Sequence, residues 1–169
     1  MMYKFLFAIP MLLLMSFAIS AQQVAVVDVS KVLESVEDYR MAQRELDNIA
    51  AAWQRDIAEE YDKIRSLYNR YQAEQVLLSE EQRAEREEEI MEKEKSVREL
   101  QRARFGPEGE LFRKRQELVS PIQDRIFGLI QEYATSRGFD IIFDKSSDAG
   151  LLYVSERFDK TDDIIRRVR

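Results

Sequence analysis

The chain has 169 residues, with 34% charged side chains, 26 Lys+Arg against 32 Asp+Glu, and neither cysteine nor histidine. That composition excludes a disulfide scaffold, a zinc site of the usual ligands and any thiol or imidazole catalyst, and its net charge of −6 argues against a general nucleic-acid binder. Five glycines and three prolines are too few for a loop-rich sandwich, while the charge density fits long solvated helices.

Residues 1–21 read apart from the rest. Lys4 opens a short basic region, Phe5 to Phe17 is apolar apart from Pro10 and Ser16, and Ala18-Ile19-Ser20-Ala21 supplies small residues at a cleavage point. The apolar run falls short of the roughly 20 residues that span a bilayer. A signal peptide removed near residue 21 is expected, hence a periplasmic location, and an uncleaved membrane anchor is the competing reading. Lys4 is the only charged side chain of this leader, so the remainder carries −7.

Val24, Val26, Val27 and Val29 form a β-branched run that is apolar on both faces, expected as a strand needing cover on both sides. Ser30 stands where an N-cap belongs. From there to Leu78 there is neither Gly nor Pro, which predicts one long helix. Val36, Tyr39, Gln43, Leu46, Ala50, Trp53, Ile57, Tyr61, Ile64, Tyr68 and Tyr71 advance at a mean of 3.5 residues, the coiled-coil period. About 49 residues at 1.5 Å each would reach roughly 70 Å, too far for a core of this size to bury. The helix must project.

Ser79-Glu80-Glu81-Gln82 has the form of a capping box, placing a chain reversal near residues 75–79. A second helix is expected to run to Arg137 and end at Gly138. Its seam (Ile90, Glu94, Val97, Gln101, Leu111, Leu118, Ile122, Ile126, Leu129, Tyr133) is apolar mainly in its second half. Of the 20 residues from Glu80 to Glu99, 14 are charged, so pairing should be firm near the base and loose near the tip. Gly106-Pro107 should bend this helix opposite Trp53, with the indole over Gly106. Arg98, Arg102, Arg104, Arg113, Lys114 and Arg115 form a positive band, expected to pair with Glu45, Asp47, Asp56 and Glu59 or to grip acidic partners.

Past Gly138 the period changes. Phe139–Phe143 and Leu151–Val154 read as two further strands joined by a turn, and Thr161 should cap a last helix whose apolar side is Ile164, Ile165 and Val168. Asp144, Ser146 and Asp148 alternate like a calcium loop, but Gly150 falls one place late and the closing glutamate is missing, so a turn is expected and no metal. The fold class is therefore mainly α with a small three-stranded β base (residues 22–35 and 130–169) carrying a long antiparallel helical hairpin (36–129). Such a base has too little apolar cover to stand alone. Self-association is expected through Val24, Val26, Val27, Val29, Ile141, Ile142, Phe143, Leu151, Leu152 and Val154.

The order of these parts (VAVVDVSKVL into a helix, a charged hairpin, GFDIIFDKSSDAGLLYVS, and DKTDDIIRRV at the end) resembles the Skp/OmpH family of periplasmic chaperones across nearly the whole exported chain, and FGPEGEL at 105–111 looks like a segment of some members. The resemblance implies a homotrimer with three hairpins around a cavity. It also implies an ATP-independent holdase for unfolded outer-membrane β-barrel proteins, with no enzymatic activity and no cofactor. The best-studied kind of member is basic and this chain is acidic, which argues against contact with lipopolysaccharide or an anionic membrane. Candidate client contacts are Leu67, Val76, Leu77, Leu78 and Met91. A structural coiled-coil spacer or tether of the envelope is the alternative.

Overall fold

The computed structural model describes residues 22–147 and 150–168. The expected leader (1–21), Asp148 of the alternating acidic string and the terminal Arg169 lie outside the described residues. In chain order the elements are β1 (Val24–Val27), α1 (Val29–Glu34), α2 (Glu37–Glu74), α3 (Glu80–Phe105), α4 (Glu110–Arg137), β2 (Ile141–Asp144) and α5 (Thr161–Val168).

The strand forms as expected, but its cap does not. Asp28, not Ser30, caps α1: its carboxylate accepts the Lys31 amide at 2.9 Å. The short aspartate side chain reaches an orphan amide of the first turn, and Ser30 is already helical. The single first helix is also interrupted. Ser35 donates its hydroxyl to the Val32 carbonyl at 2.7 Å, and Val36 takes an extended conformation before α2 begins. The corner lets Val32, Leu33 and Val36 all point into one core, where they are 0%, 5% and 7% exposed.

α2 is 38 residues long, about 57 Å at 1.5 Å per residue. Ser79 and Gln82 form the reciprocal capping box read from the sequence. α3 ends at Phe105, and the Gly106–Gly109 loop carries the chain into α4, so the second helix is broken where expected. Both glycines are dictated by crowding: a Cβ on Gly106 would sit 2.4 Å from the Arg102 carbonyl oxygen, and one on Gly109 would sit 2.7 Å from that of Ala103. Trp53 meets this bend edge-on against Phe105, with ring centroids 6.1 Å apart, and under the Arg104 guanidinium at 5.0 Å, rather than over Gly106. α4 passes uninterrupted through Pro121, forgoing one backbone bond, and closes on Gly138 in the left-handed conformation at φ 74°.

The seam of the hairpin keeps the expected period but not every expected residue. Tyr61 and Tyr68 are 39% and 50% exposed, and the buried line runs instead through Ile57, Ile64, Leu67 and Tyr71. After the two four-residue steps at Trp53–Ile57–Tyr61, the helix places the next three-residue step at the half-buried Glu60. The tyrosine hydroxyls stay in water on the flank, where that of Tyr68 accepts a bond from Gln72 at 3.0 Å. On the return helix Leu100 and Phe105 join Ile90 and Val97, while Gln101 is exposed; below the bend Val119 is buried beside Leu118. Three apolar clusters result: one at the base, one around Ala42, Leu46 and Val119, and one around Ile57, Ile64, Ile90 and Val97. From residue 72 to 89 nothing is buried. The loosening is therefore confined to the last turns before the tip.

The base departs most from expectation. β2 pairs with β1 in parallel, Val24 opposite Ile141 and Val27 opposite Asp144. Leu151–Val154 forms no strand; among the described residues the sheet has two strands. The reason is topological. Val26 bridges Asp159 on the edge of β1 away from β2, where the Lys160 amide donates to the Val26 carbonyl at 2.8 Å. Residues 151–155 are used in crossing from one edge of the sheet to the other, so they cannot return alongside β2. Thr161 begins α5 but does not cap it. Its hydroxyl accepts the Asp28 amide at 2.9 Å and donates to Asp159, whose carboxylate also accepts the Thr161 amide at 2.9 Å.

Candidate functional site

The surface that could hold another polypeptide is built from the top of the hairpin and its bend. At the tip, Leu77 donates its amide to the Glu74 carbonyl at 2.8 Å, closing a tight turn that throws side chains outward. Val76 is 81% exposed and Leu77 86% exposed, and Met91 on α3 is 60% exposed. Leu78 is half-buried. Leu67 is not part of this surface: it packs against the Ile57–Ile64–Ile90–Val97 cluster. Apolar side chains left in water on a helical turn are held there by geometry alone, since two residues at a reversal have no opposing helix to cover them. Tyr61 and Tyr68, expected in the seam, stand on the outer flank of α2 and extend the exposed apolar set.

The positive band resolves into paired and unpaired members. Arg104 reaches Asp56 across the hairpin at 2.9 Å, Arg98 pairs with Glu94 on its own helix, and Lys114 pairs with Glu117. Of the expected acidic partners, among the described residues only Asp56 makes an ion-pair contact with the band. The Glu117 carboxylate raises the Lys114 pKa, with Glu45 adding a weaker attraction.

The residues expected to meet other copies divide into two groups. Val26 and Val27 are 4% and 0% exposed within one chain, and Val24, Val29, Ile142 and Val154 are half-buried. Ile141 (42%), Phe143 (40%), Leu151 (40%) and Leu152 (101%) face outward. β1 has a neighbour on each edge, whereas β2, among the described residues, has one on a single edge. An unpaired strand edge that also presents Ile141 and Phe143 is the part of the base most in need of a partner.

Carboxylates that sequence reasoning did not single out as structural tie this base together. Asp140 accepts the Gln23 amide at 2.8 Å, and Asp144 accepts the Val29 amide at 3.2 Å and the Ser146 amide at 2.9 Å. Asp159 takes Lys145 at 2.7 Å. Burial works to raise the Asp159 pKa, but the Lys145 ammonium and the Thr161 hydroxyl and amide outweigh it and hold the group at about 2. Tyr133, 2% exposed, donates its hydroxyl to Asp163 at 2.7 Å; burial and that carboxylate both push the phenol up. Arg167 lies 4.9 Å over the same ring, which locks α5 onto α4. The only available signal was the spacing of aspartates around short apolar runs, which looks the same whether they bind a ligand or backbone amides.

Among the described residues no helix is long and apolar enough to cross a membrane. No curated protein matches the chain. Among solved structures it is similar to a candidate outer membrane chaperone (OmpH-like) from Caulobacter crescentus CB15, with a TM-score of 0.69 at 11% identity, over 88% of this chain and 85% of that one. That likeness concerns the fold. The model of the family described as outer membrane protein (OmpH-like) matches residues 23–168. With the strand-into-helix start, the bent hairpin and the closing α5 all inside that match, the chain belongs to the OmpH-like family.

Proposed function

We propose that the chain is an ATP-independent periplasmic holdase that keeps unfolded outer-membrane β-barrel proteins from aggregating in transit. The observation that carries this reading is the exposed apolar set towards the end of a projecting, highly charged hairpin: Val76, Leu77 and Met91 are more than half exposed. Exported barrel strands present alternating apolar faces and unpaired edges, and many weak contacts to such a surface would shield them while permitting release. Family membership supports a chaperone role in general.

The organisation that goes with this reading is a body of residues 22–35 and 130–169 carrying a prong of 36–129, after removal of a leader ending near residue 21. The body closes as a homotrimer. Ile141, Phe143, Leu151 and Leu152 are the interface residues with apolar surface to bury, and Leu151–Val154 gains a ladder only from another copy's strand edge. The work needs no nucleotide, metal or catalytic group, and the net charge of the exported chain makes nucleic acid and anionic membrane poor partners.

The test dilutes a urea-unfolded outer-membrane barrel protein into buffer with the purified chain. Suppressed light scattering at stoichiometric trimer supports the holdase. Unchanged aggregation removes it and leaves the envelope spacer as the better reading.

A further inference from the structure

We propose that the turn at the top of the hairpin is a docking surface for an extended polypeptide segment in which a lysine or arginine stands beside an apolar side chain. This deepens the holdase reading and rests on it for the identity of the polypeptide. The apolar part is Val76 and Leu77, 81% and 86% exposed between the end of α2 and the start of α3. The turn is preformed. The Leu77 amide donates to the Glu74 carbonyl at 2.8 Å, and Ser79 and Gln82 exchange bonds of 3.0 and 3.3 Å where α3 begins. Gln75 and Leu78 are half-buried and form its inner side. Little backbone has to be ordered on binding, so a small contact area suffices for a measurable affinity.

Charge decides what the visiting apolar side chain brings with it. Residues 70–98, the stretch of both helices that meets at the turn, hold nine acidic and six basic residues, a net of −3. The ion pairs of this stretch among the described residues, Arg86–Glu89 and Arg98–Glu94, close within it, so no outside partner cancels the surplus. Glu74, Glu80 and Glu81 account for all of it: residues 74–82 contain these three acids and no base, and the remainder holds six of each. All three are exposed, and none makes an ion pair among the described residues. The helix ends point the same way. Glu80 and Glu81 serve the positive end of α3, whereas the last turn of α2 has no basic residue at its negative end. What the turn lacks is a cation beside an apolar group. An ammonium or guanidinium meets the carboxylates and the carbonyl end of α2 while its apolar neighbour covers Val76 and Leu77. A bare divalent cation would satisfy the acids and leave both apolar side chains in water.

The experiment follows amide NMR shifts of the full chain as it is titrated with acetyl-Gly-Leu-Lys-Leu-Gly-amide, and with the same peptide carrying Glu for Lys or Ser for both Leu. Saturable shifts centred on residues 74–82 are expected with the first peptide. Binding about tenfold weaker is expected for the Glu peptide, and about fivefold weaker for the Ser peptide, the scale of a few exposed charge and apolar contacts. E74Q/E80Q/E81Q and V76S/L77S should each weaken the first peptide about fivefold. These positions are exposed, so both variants keep the fold, which unchanged shifts beyond the tip report. Equal binding of the three peptides overturns the proposal, as does wild-type affinity in E74Q/E80Q/E81Q or saturation at residues away from the tip. Magnesium shifts at the same residues without peptide binding also overturn it. So does a rise in the chain's own mass, or capture of phosphatidylcholine vesicles, that needs Val76 and Leu77 and occurs without peptide binding. A wild-type chain that protects a barrel protein yet binds no peptide refutes this surface and leaves the holdase standing. Peptide binding at the tip without protection supports the surface and removes the holdase.

Discussion

Ile126 and Val97 offer a matched pair of perturbations in two kinds of core. Ile126 is 0% exposed in the base, enclosed by Val27, Val32, Leu33, Val36, Tyr133 and Ile164. Ile126→Ala removes three aliphatic carbons, about 2.4 kcal/mol at ~0.8 per buried carbon. A cavity ringed by four elements cannot collapse freely, which adds about 1 kcal/mol, giving roughly 3–4 kcal/mol in all. Val97 is 4% exposed, but its neighbours Ile57, Ile64 and Ile90 form a layer only two helices thick. Val97→Ala removes two carbons, and water or shifted side chains can fill the gap, so about 1 kcal/mol is expected. Urea unfolding followed by far-UV circular dichroism gives the two losses. All variants must be compared at one protein concentration, because the proposed self-association would couple to stability. Amide exchange should show Val97→Ala loosening α2 and α3 only around that cluster, and Ile126→Ala raising exchange throughout the base. Equal losses, or a larger loss at Val97, would refute the claim that the base anchors the fold and the prong is held by a thin seam.

Three further outcomes follow from individual contacts. Gly106→Ala drives a Cβ to within 2.4 Å of the Arg102 carbonyl, so the loop must shift; about 1–3 kcal/mol is lost and Trp53 fluorescence changes as Phe105 moves, whereas an unchanged spectrum and Tm would contradict the crowding argument. Asp159 is held at about 2, below the ordinary 3.8, so its contribution is present above pH 4 and lost as pH falls towards 2. Asp159→Asn should remove about 1–2 kcal/mol at neutral pH and narrow the gap to the parent chain between pH 4 and 2; a constant gap across that range would show that the carboxylate charge is not what matters. Val76→Ser with Leu77→Ser alters side chains 81% and 86% exposed, so stability should move by no more than about 0.5 kcal/mol while protection of an unfolded barrel protein falls; full protection would move the grip away from the tip.

Much of this architecture is legible in the residues. The Ser79–Gln82 box, the Gly106-Pro107 break and Gly138 are local signals with local causes, and each stands where the sequence places it. The errors occur where a distant part of the chain decides. Asp28 caps α1 and Val36 breaks the helix because Ile126, Tyr133 and Ile164 wait in the base to receive α1. Tyr61 and Tyr68 fit the period as well as Glu60 and Leu67 do; only the opposing Ile90 and Val97 select the second line. Leu151–Val154 has strand composition, but Val26 bridging Asp159 takes the chain across the sheet instead. At the bend, the sequence shows a band of basic residues but not which arginines remain without acids, since that depends on Asp56 lying across from Arg104.

The holdase reading is tested most directly by adding the purified chain to an outer-membrane barrel protein as it is diluted from urea, following turbidity while static light scattering reports the chain's own mass. A trimer mass with aggregation suppressed at one trimer per client, without nucleotide, is the predicted result. Aggregation that proceeds unchanged at that ratio would contradict it.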